Sequence, residues 1–190
     1  MIITIGRQYG AGGREVGEKL AKKLQIPLYD RKLVAFLSAH MEKGVSLDKL
    51  DLTYENLYGS VSPYETMLAD IKTKDDNYLF SAQAKTIKAL AQKGDGIFIG
   101  RCANYILKDF DHAYHFFVVA DDTFRKQRGE TVYHKPLEFL KKEDEKRGSY
   151  YNYYTLLKWG NPVDYDLTIN TGKSGIDKAV TTIVDYIQAK

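Results

Sequence analysis

The chain has 190 residues, with 28 lysines and arginines against 25 aspartates and glutamates, a formal net charge of +3 and 44% hydrophobic residues. That length and content suffice for one buried core and exclude a disordered chain. The small charge is spread along the sequence rather than gathered in blocks, so no nucleic-acid partner is expected, since such a binder needs a basic face.

The chain opens on an apolar, β-branched run, Ile2 to Ile5, which meets glycines at Gly6, Gly10, Gly12 and Gly13 before a helical pattern starts at Arg14, Glu15 and Val16. This reads as strand, glycine loop, helix. Glycines there permit positive φ, and a helix start carries partial positive charge, so the loop suits an anion, phosphate above all. The usual phosphate loop is G-x-x-x-x-G-K-S/T. Laid on that pattern, Arg7 falls at the first glycine, Gly13 at the lysine, and Arg14 and Glu15 at the small or hydroxylated positions. Arg14 is the neighbouring cation whose fork of donors suits phosphate oxygens. A glycine-rich turn with no ligand is the alternative.

Val16, Leu20 and Leu24 share one helical face. The run IPLYD predicts a short buried strand ending on Asp30, with Arg31 beside it, where ligands of an open parallel sheet sit. Asp30 as the cap of the following helix, RKLVAFLSAHM, is the equal alternative. Ser62-Pro63-Tyr64-Glu65 predicts a helix start. After the break at 72–77, a second helix carries Leu79, Ala82, Thr86, Leu90 and Ala91 inward, completing a helical insertion. Tyr54, Tyr58, Tyr64 and Tyr78 along it suit either packing or contact with a planar base.

Residues 96–101, GIFIGR, predict a third strand that stops on Gly100-Arg101, placing a guanidinium at the same sheet edge. Cys102, the single cysteine, excludes an internal disulfide and reads as a buried thiol in a reducing compartment. HAYHFFVVA predicts a fourth buried strand, followed by a helix with Arg125 and Arg128. From Glu130 to Tyr154 the chain is charged and then tyrosine-rich without an apolar stripe. It reads either as a lightly packed helical hairpin or as a mobile lid that brings Arg125, Arg128 and Arg147 over the loop. DLTIN, 166–170, predicts an edge strand, and Ser174 is expected to cap a last helix with Ile176, Val180, Ile183, Val184 and Ile187 on one face. The four histidines lack ligand spacing for zinc. No run of eighteen apolar residues and no leader pattern occur, so a cytoplasmic protein with no membrane contact is expected.

The segments GRQYGAGGREVG, LQIPLYDRKL, GIFIGRCANYIL, EDEKRGSYYNYY and YDLTIN together resemble the cytidylate-kinase-like family of P-loop proteins. The resemblance implies an α/β fold of the nucleoside-monophosphate-kinase kind. That fold has a five-stranded parallel sheet flanked by helices in a single domain, 1–190, with an acceptor-side helical insertion near 42–93 and a lid near 125–155. It further implies ATP and magnesium as cofactors and a phosphotransferase acting on a nucleoside monophosphate or a related small phosphorylated acceptor. Gly10, Ala11, Gly12, Gly13, Arg14 and Glu15 match the phosphate cradle. Arg128 and Arg147, with Asp144 beside them, match lid arginines, and Arg101 and Asp30, with Arg31, match the acceptor side. Arg14 would replace the missing lysine, and Glu15 or Asp30 would stand behind the waters of magnesium. The chain departs from true cytidylate kinases at Gly13, at Glu15 and at Cys102, which stands where an acceptor-site aspartate is expected. A nucleotide sensor without catalysis, or an interaction protein keeping only the fold, are the rival readings.

Overall fold

The computed structural model of the chain describes residues 1–47 and 76–189. In order these form β1 (Ile2–Arg7), α1 (Gly13–Leu24), β2 (Leu28–Tyr29), α2 (Arg31–Glu42), α3 (Asp76–Lys93), β3 (Gly96–Ile99), α4 (Ala103–Ile106) and β4 (Ala113–Val119). They continue with α5 (Asp122–Arg128), a π-helical turn (Gly129–Tyr133), α6 (Leu137–Thr155), β5 (Leu167–Asn170), the short α7 (Thr171–Ser174) and α8 (Ile176–Gln188). The helix start expected at Ser62 and the tyrosines at 54, 58 and 64 lie outside the described residues.

The five strands are all parallel and lie in the order β2-β3-β1-β4-β5. Their carboxyl ends therefore converge on one edge, with β1 between β3 and β4. Successive side chains of a strand face opposite ways, and here both faces are covered. Ile3 and Ile5 enter a core with Val16 and Leu20 of α1 and Val180 and Ile183 of α8, whereas Ile2 joins Phe98, Leu33 and Leu37 of α2 and Ile87 and Leu90 of α3 on the other side. No helix among the described residues is long and apolar enough to cross a membrane.

Three local expectations are corrected. β1 continues past Ile5 to Arg7, because β4 pairs with it through Gly6↔Phe117 and Arg7↔Val118. The segment 130–154 is not a hairpin: after the π turn comes one 19-residue helix, α6, held by its three buried residues, Leu140, Tyr151 and Thr155. Three anchors spread along a charged helix leave no continuous apolar stripe, which is why periodicity does not reveal them. The final helix is capped by Gly175 instead of Ser174, whose hydroxyl donates back to the carbonyl oxygens of Asn170 and Gly175.

Leu140 is fully enclosed and presses its Cδ1 on Gly10, so it joins α6 to the glycine loop. Leu140→Ala is expected to lower the unfolding free energy by about 2–5 kcal/mol, read from urea denaturation. A loss well under 1 kcal/mol, roughly that of a surface change, would contradict the anchoring. On β4, His115 Nδ1 lies 2.8 Å from Thr4 Oγ1, and the His115 amide donates to Asp166 Oδ2. Burial pushes the His115 imidazole below its ordinary value of 6.5, with Asp166 opposing. The unfolded chain then binds the proton more readily, so this group's contribution is intact above pH 6.5 and is lost as pH falls toward the folded value. His115→Gln is expected to flatten the fall in stability between roughly pH 7 and 5, and an unchanged slope would count against it.

Candidate functional site

At the carboxyl end of β1 the Gln8 amide still donates to Val118 O, and Gln8 Oε1 accepts from the Ala120 amide. The chain then turns through Gly10 (φ 82°) and Gly12 (φ 77°) into α1. Ala11 is fully buried, and its carbonyl accepts a 2.6 Å bond from Thr171 Oγ1. The first amides of α1, Gly13 and Glu15 among them, have no acceptor within the helix. This is a glycine loop whose carbonyl at Ala11 is tied into the protein and whose helix start carries the partial positive charge of the backbone.

The backbone of Tyr9 is gripped on both sides. Its N–H donates to Asp144 Oδ1 at 2.7 Å and its carbonyl accepts from Arg125 Nε at 2.8 Å. Arg125 closes the triangle through Nη2 to Asp144 Oδ2 at 2.5 Å, with Arg147 Nη1 3.5 Å from Oδ1. Burial pushes the Asp144 carboxyl up, opposed by the Tyr9 amide and the Arg125 and Arg147 guanidiniums. Arg125, expected above the loop with the other arginines, is thus 4% exposed and committed to holding it.

Beside the loop a cavity of about 830 Å³ opens between β1, β3, α2, α3 and α6. Arg7, Arg31, Arg101 and Arg147 line it, with Tyr9, Gln83, Tyr150 and Trp159 among its other walls. Arg101 is held by Gln83 Oε1 at 2.6 Å and Tyr150 Oη at 2.5 Å, and its positive φ of 55° swings the backbone back from the end of β3. Arg147 lies with Cζ 4.7 Å from the centre of the Tyr9 ring. Burial pushes the Arg101 and Arg147 guanidiniums below their ordinary value, and for Arg101 the charge of Arg31 adds to the effect. Burial also lifts the Cys102 thiol to about 12, with Arg101 opposing, which suits an inert thiol rather than a nucleophile.

The sequence-derived residues separate into two groups. Arg31, Arg101 and Arg147 line the cavity together. Arg128 stands on the other side of the loop, its Cζ 3.8 Å from where a Cβ on Gly12 would lie, and its Nη2 pairs with Glu15 Oε2 at 2.9 Å. Arg128 Nε is buried without a hydrogen-bond partner. Arg14 points outward: its side chain is 56% exposed and pairs with Glu18 at 2.9 Å and Asp30 at 3.3 Å. Asp30 also caps α2, accepting from the Leu33 amide at 2.9 Å, so the capping geometry is present at the strand edge. Glu15 and Asp30 are therefore both engaged in ion pairs, and no cluster of three or more His, Cys, Asp or Glu side chains suited to a metal occurs among the described residues. Such a donor set fits magnesium held mainly by phosphate oxygens and waters, with one or two carboxylates behind them.

Sequence reasoning gave no role to Arg7, Tyr9, Gln83 or Tyr150. Arg7 is the instructive case. It stands where a first glycine is usual, six residues before a glycine that stands where a lysine is usual, and that reciprocal pair of departures was the available signal. Gln83 and Tyr150 reach Arg101 from 18 and 49 residues away, so no local pattern marks them.

Among solved structures, the chain is similar to an uncharacterized protein from Eubacterium ventriosum, with 26% identity, a TM-score of 0.76 and coverage of 100% of this chain and 99% of the other. It also resembles a shikimate kinase from Acinetobacter baumannii in complex with shikimate (13% identity, TM-score 0.54, 99% and 92% covered). A third likeness is to the YorR protein from Bacillus subtilis in complex with phosphorylated GDP (14% identity, TM-score 0.52, 99% and 96% covered). The last two likenesses, at low identity, speak for the fold alone. No curated protein matches the sequence. The family described as cytidylate kinase-like matches residues 2–173, nearly the whole chain and every element from β1 to the end of β5, and the chain belongs to that family.

Proposed function

We propose that the protein is an ATP-dependent phosphotransferase acting on a nucleoside monophosphate or a related small phosphorylated acceptor. The observation that carries this reading is the cavity lined by Arg7, Arg31, Arg101 and Arg147 that opens beside a glycine loop on a helix start. Four guanidiniums with only Asp76 and Glu143 as acidic walls among the described residues call for a ligand of at least two negative charges. Membership of a kinase-like P-loop family supports the same reading.

In this scheme the loop from Gly10 to Glu15 holds the donor polyphosphate on its backbone amides. Arg147 and Arg128 neutralise the migrating phosphoryl from the two sides of the loop, and Arg101, Arg31 and Asp30 set the acceptor. The bond between the transferred phosphorus and the donor's bridging oxygen breaks, its electron pair staying on the leaving diphosphate. A new bond forms from that phosphorus to a phosphate oxygen of the acceptor, and no proton has to move when that oxygen is ionised. Magnesium, when bound, supplies charge neutralisation at the polyphosphate, with Asp30 and Glu15 as its outer carboxylates. Tyr150 and Gln83 fix the Arg101 guanidinium so that little ordering remains at binding.

A nucleotide sensor without catalysis is the second reading, favoured by Gly13 at the lysine position and by Asp144 already seated on the Tyr9 amide. The deciding assay follows ADP release with ATP and magnesium over a panel of nucleoside monophosphates, beside calorimetric titration of ATP. Turnover of at least one acceptor supports the transferase, while tight ATP binding with no release from any of them supports the sensor. For the transferase, Arg101→Ala is expected to raise the acceptor KM with little effect on ATP affinity, and Arg147→Ala to lower kcat by about a hundredfold. Variants with unaltered acceptor KM and kcat would remove these residues from the scheme.

A further inference from the structure

We propose that Arg7 supplies the cation that a P-loop lysine at position 13 would otherwise provide, its guanidinium touching the transferred phosphoryl group where the glycine loop meets the arginine-lined cavity. This assignment rests on the phosphotransferase reading and deepens it. It moves the role of lysine substitute from Arg14, on the exposed side of α1, to a side chain that enters from the end of β1.

The geometry is one of exchange. A Cβ built on Gly13 would lie 2.5 Å from Arg7 Cβ and 2.9 Å from Arg7 Cγ, so the stem of Arg7 fills the space through which a side chain at 13 would leave the helix. At its far end, Arg7 Nη1 occupies the place of a Cβ on Gly100, whose φ of 69° also favours glycine. Arg7 thus runs from the first turn of α1 to the carboxyl end of β3, threaded between two glycines. Without a Cβ at either position the guanidinium has a slot; with one at either, it does not.

Among the described residues the charge of Arg7 is also unanswered. Among the described residues it forms no ion pair, because Asp30 is engaged by Arg14 and Asp144 by Arg125 and Arg147. Those two carboxylates act on Arg7 only as weaker influences, behind burial and the like charge of Arg147. Burial lowers the Arg7 guanidinium to about 9, so it remains a cation at neutral pH, half-buried on the cavity wall. A purely structural arginine in such a place is ordinarily paired, since a charge partly withdrawn from water without a partner costs stability. Arg7 instead lines the cavity with Arg31, Arg101 and Arg147. A phosphoryl oxygen pair is the ligand that its fork of donors matches, and the joint between loop and cavity is where donor and acceptor phosphates approach.

The test uses the full chain and inorganic tripolyphosphate as probe, titrated calorimetrically, together with thermal unfolding of each free protein. Arg7→Gln is expected to weaken tripolyphosphate binding by about a hundredfold, the loss of charge-assisted hydrogen bonds, and to lose more than Arg14→Gln does. It is also expected to unfold at the same or a higher temperature than the wild type, because a half-buried charge without an ion-pair partner among the described residues is removed. A lysine added at Gly13 alone collides with Arg7 and should lower both stability and affinity. The double variant Arg7→Gly with Gly13→Lys recreates the usual loop and should regain at least roughly a tenth of wild-type affinity. Should Arg7→Gln fold poorly, Arg7→Lys and the double variant still decide the matter by retaining binding. Equal affinity in Arg7→Gln and wild type, a larger loss in Arg14→Gln, or a double variant that folds but does not bind would each overturn the assignment while leaving the phosphotransferase reading in place. A wild type that binds neither tripolyphosphate nor ATP would overturn both.

Discussion

The buried triangle of Tyr9, Asp144 and Arg125 is the constraint on which the site depends. One carboxylate of α6 and one guanidinium of α5 hold the amide and the carbonyl of a single loop residue, at 2.7 and 2.8 Å, while bonding to each other. Each charged group is satisfied by several partners, which is the condition under which a buried ion pair is tolerable; removing one member typically costs about 3–5 kcal/mol. The loop is not left to find its shape through its glycines alone. It is clamped from α5 and α6, and Leu140 packs on Gly10 directly beside the clamp.

That clamp has a consequence for charge. With Asp144 spent on Arg125 and Arg147, and Asp30 spent on Arg14 and the start of α2, the cavity walls keep an excess of guanidinium. Burial weakens the hold of Arg7, Arg101 and Arg147 on their protons without removing them at neutral pH, so the site holds partly desolvated positive charge. Sites that pre-arrange charge in this way stabilise an anion without having to reorganise when it forms. Gln83, Tyr150 and the Tyr9 ring then fix the directions in which Arg101 and Arg147 act.

Much of the scaffold was legible in the residues. The apolar runs at 2–5, 96–101 and 115–120, separated by helices, predicted a parallel sheet, and charges directly after strands marked the edge where the cavity opens. Arg101 and Arg31 are found at that edge. The 130–154 segment was misjudged because its anchors, Leu140, Tyr151 and Thr155, are too widely spaced along a charged helix to register as a stripe. Arg125, Arg128 and Arg147 looked alike in sequence, yet one is structural, one stands at Gly12 and Glu15, and one faces the cavity. Those fates are decided by neighbours more than a hundred residues away in sequence for Arg125 and Arg128, and for Arg147 at Tyr9.

Local sequence by itself determined that this chain makes strand, glycine loop and helix at its start, and that its later strands bring arginines to the same edge. It did so because backbone preference and hydrophobic period act over a few residues. Tertiary structure alone decided which of two cations beside the glycine loop faces the cavity. Arg14 and Arg7 are equally near the loop along the chain, but the packing of α1 on the sheet turns the first toward solvent, Glu18 and Asp30 and leaves the second a slot past Gly13 and Gly100. Direction in space is set by how helix and strand pack together, a long-range property that residue spacing does not contain.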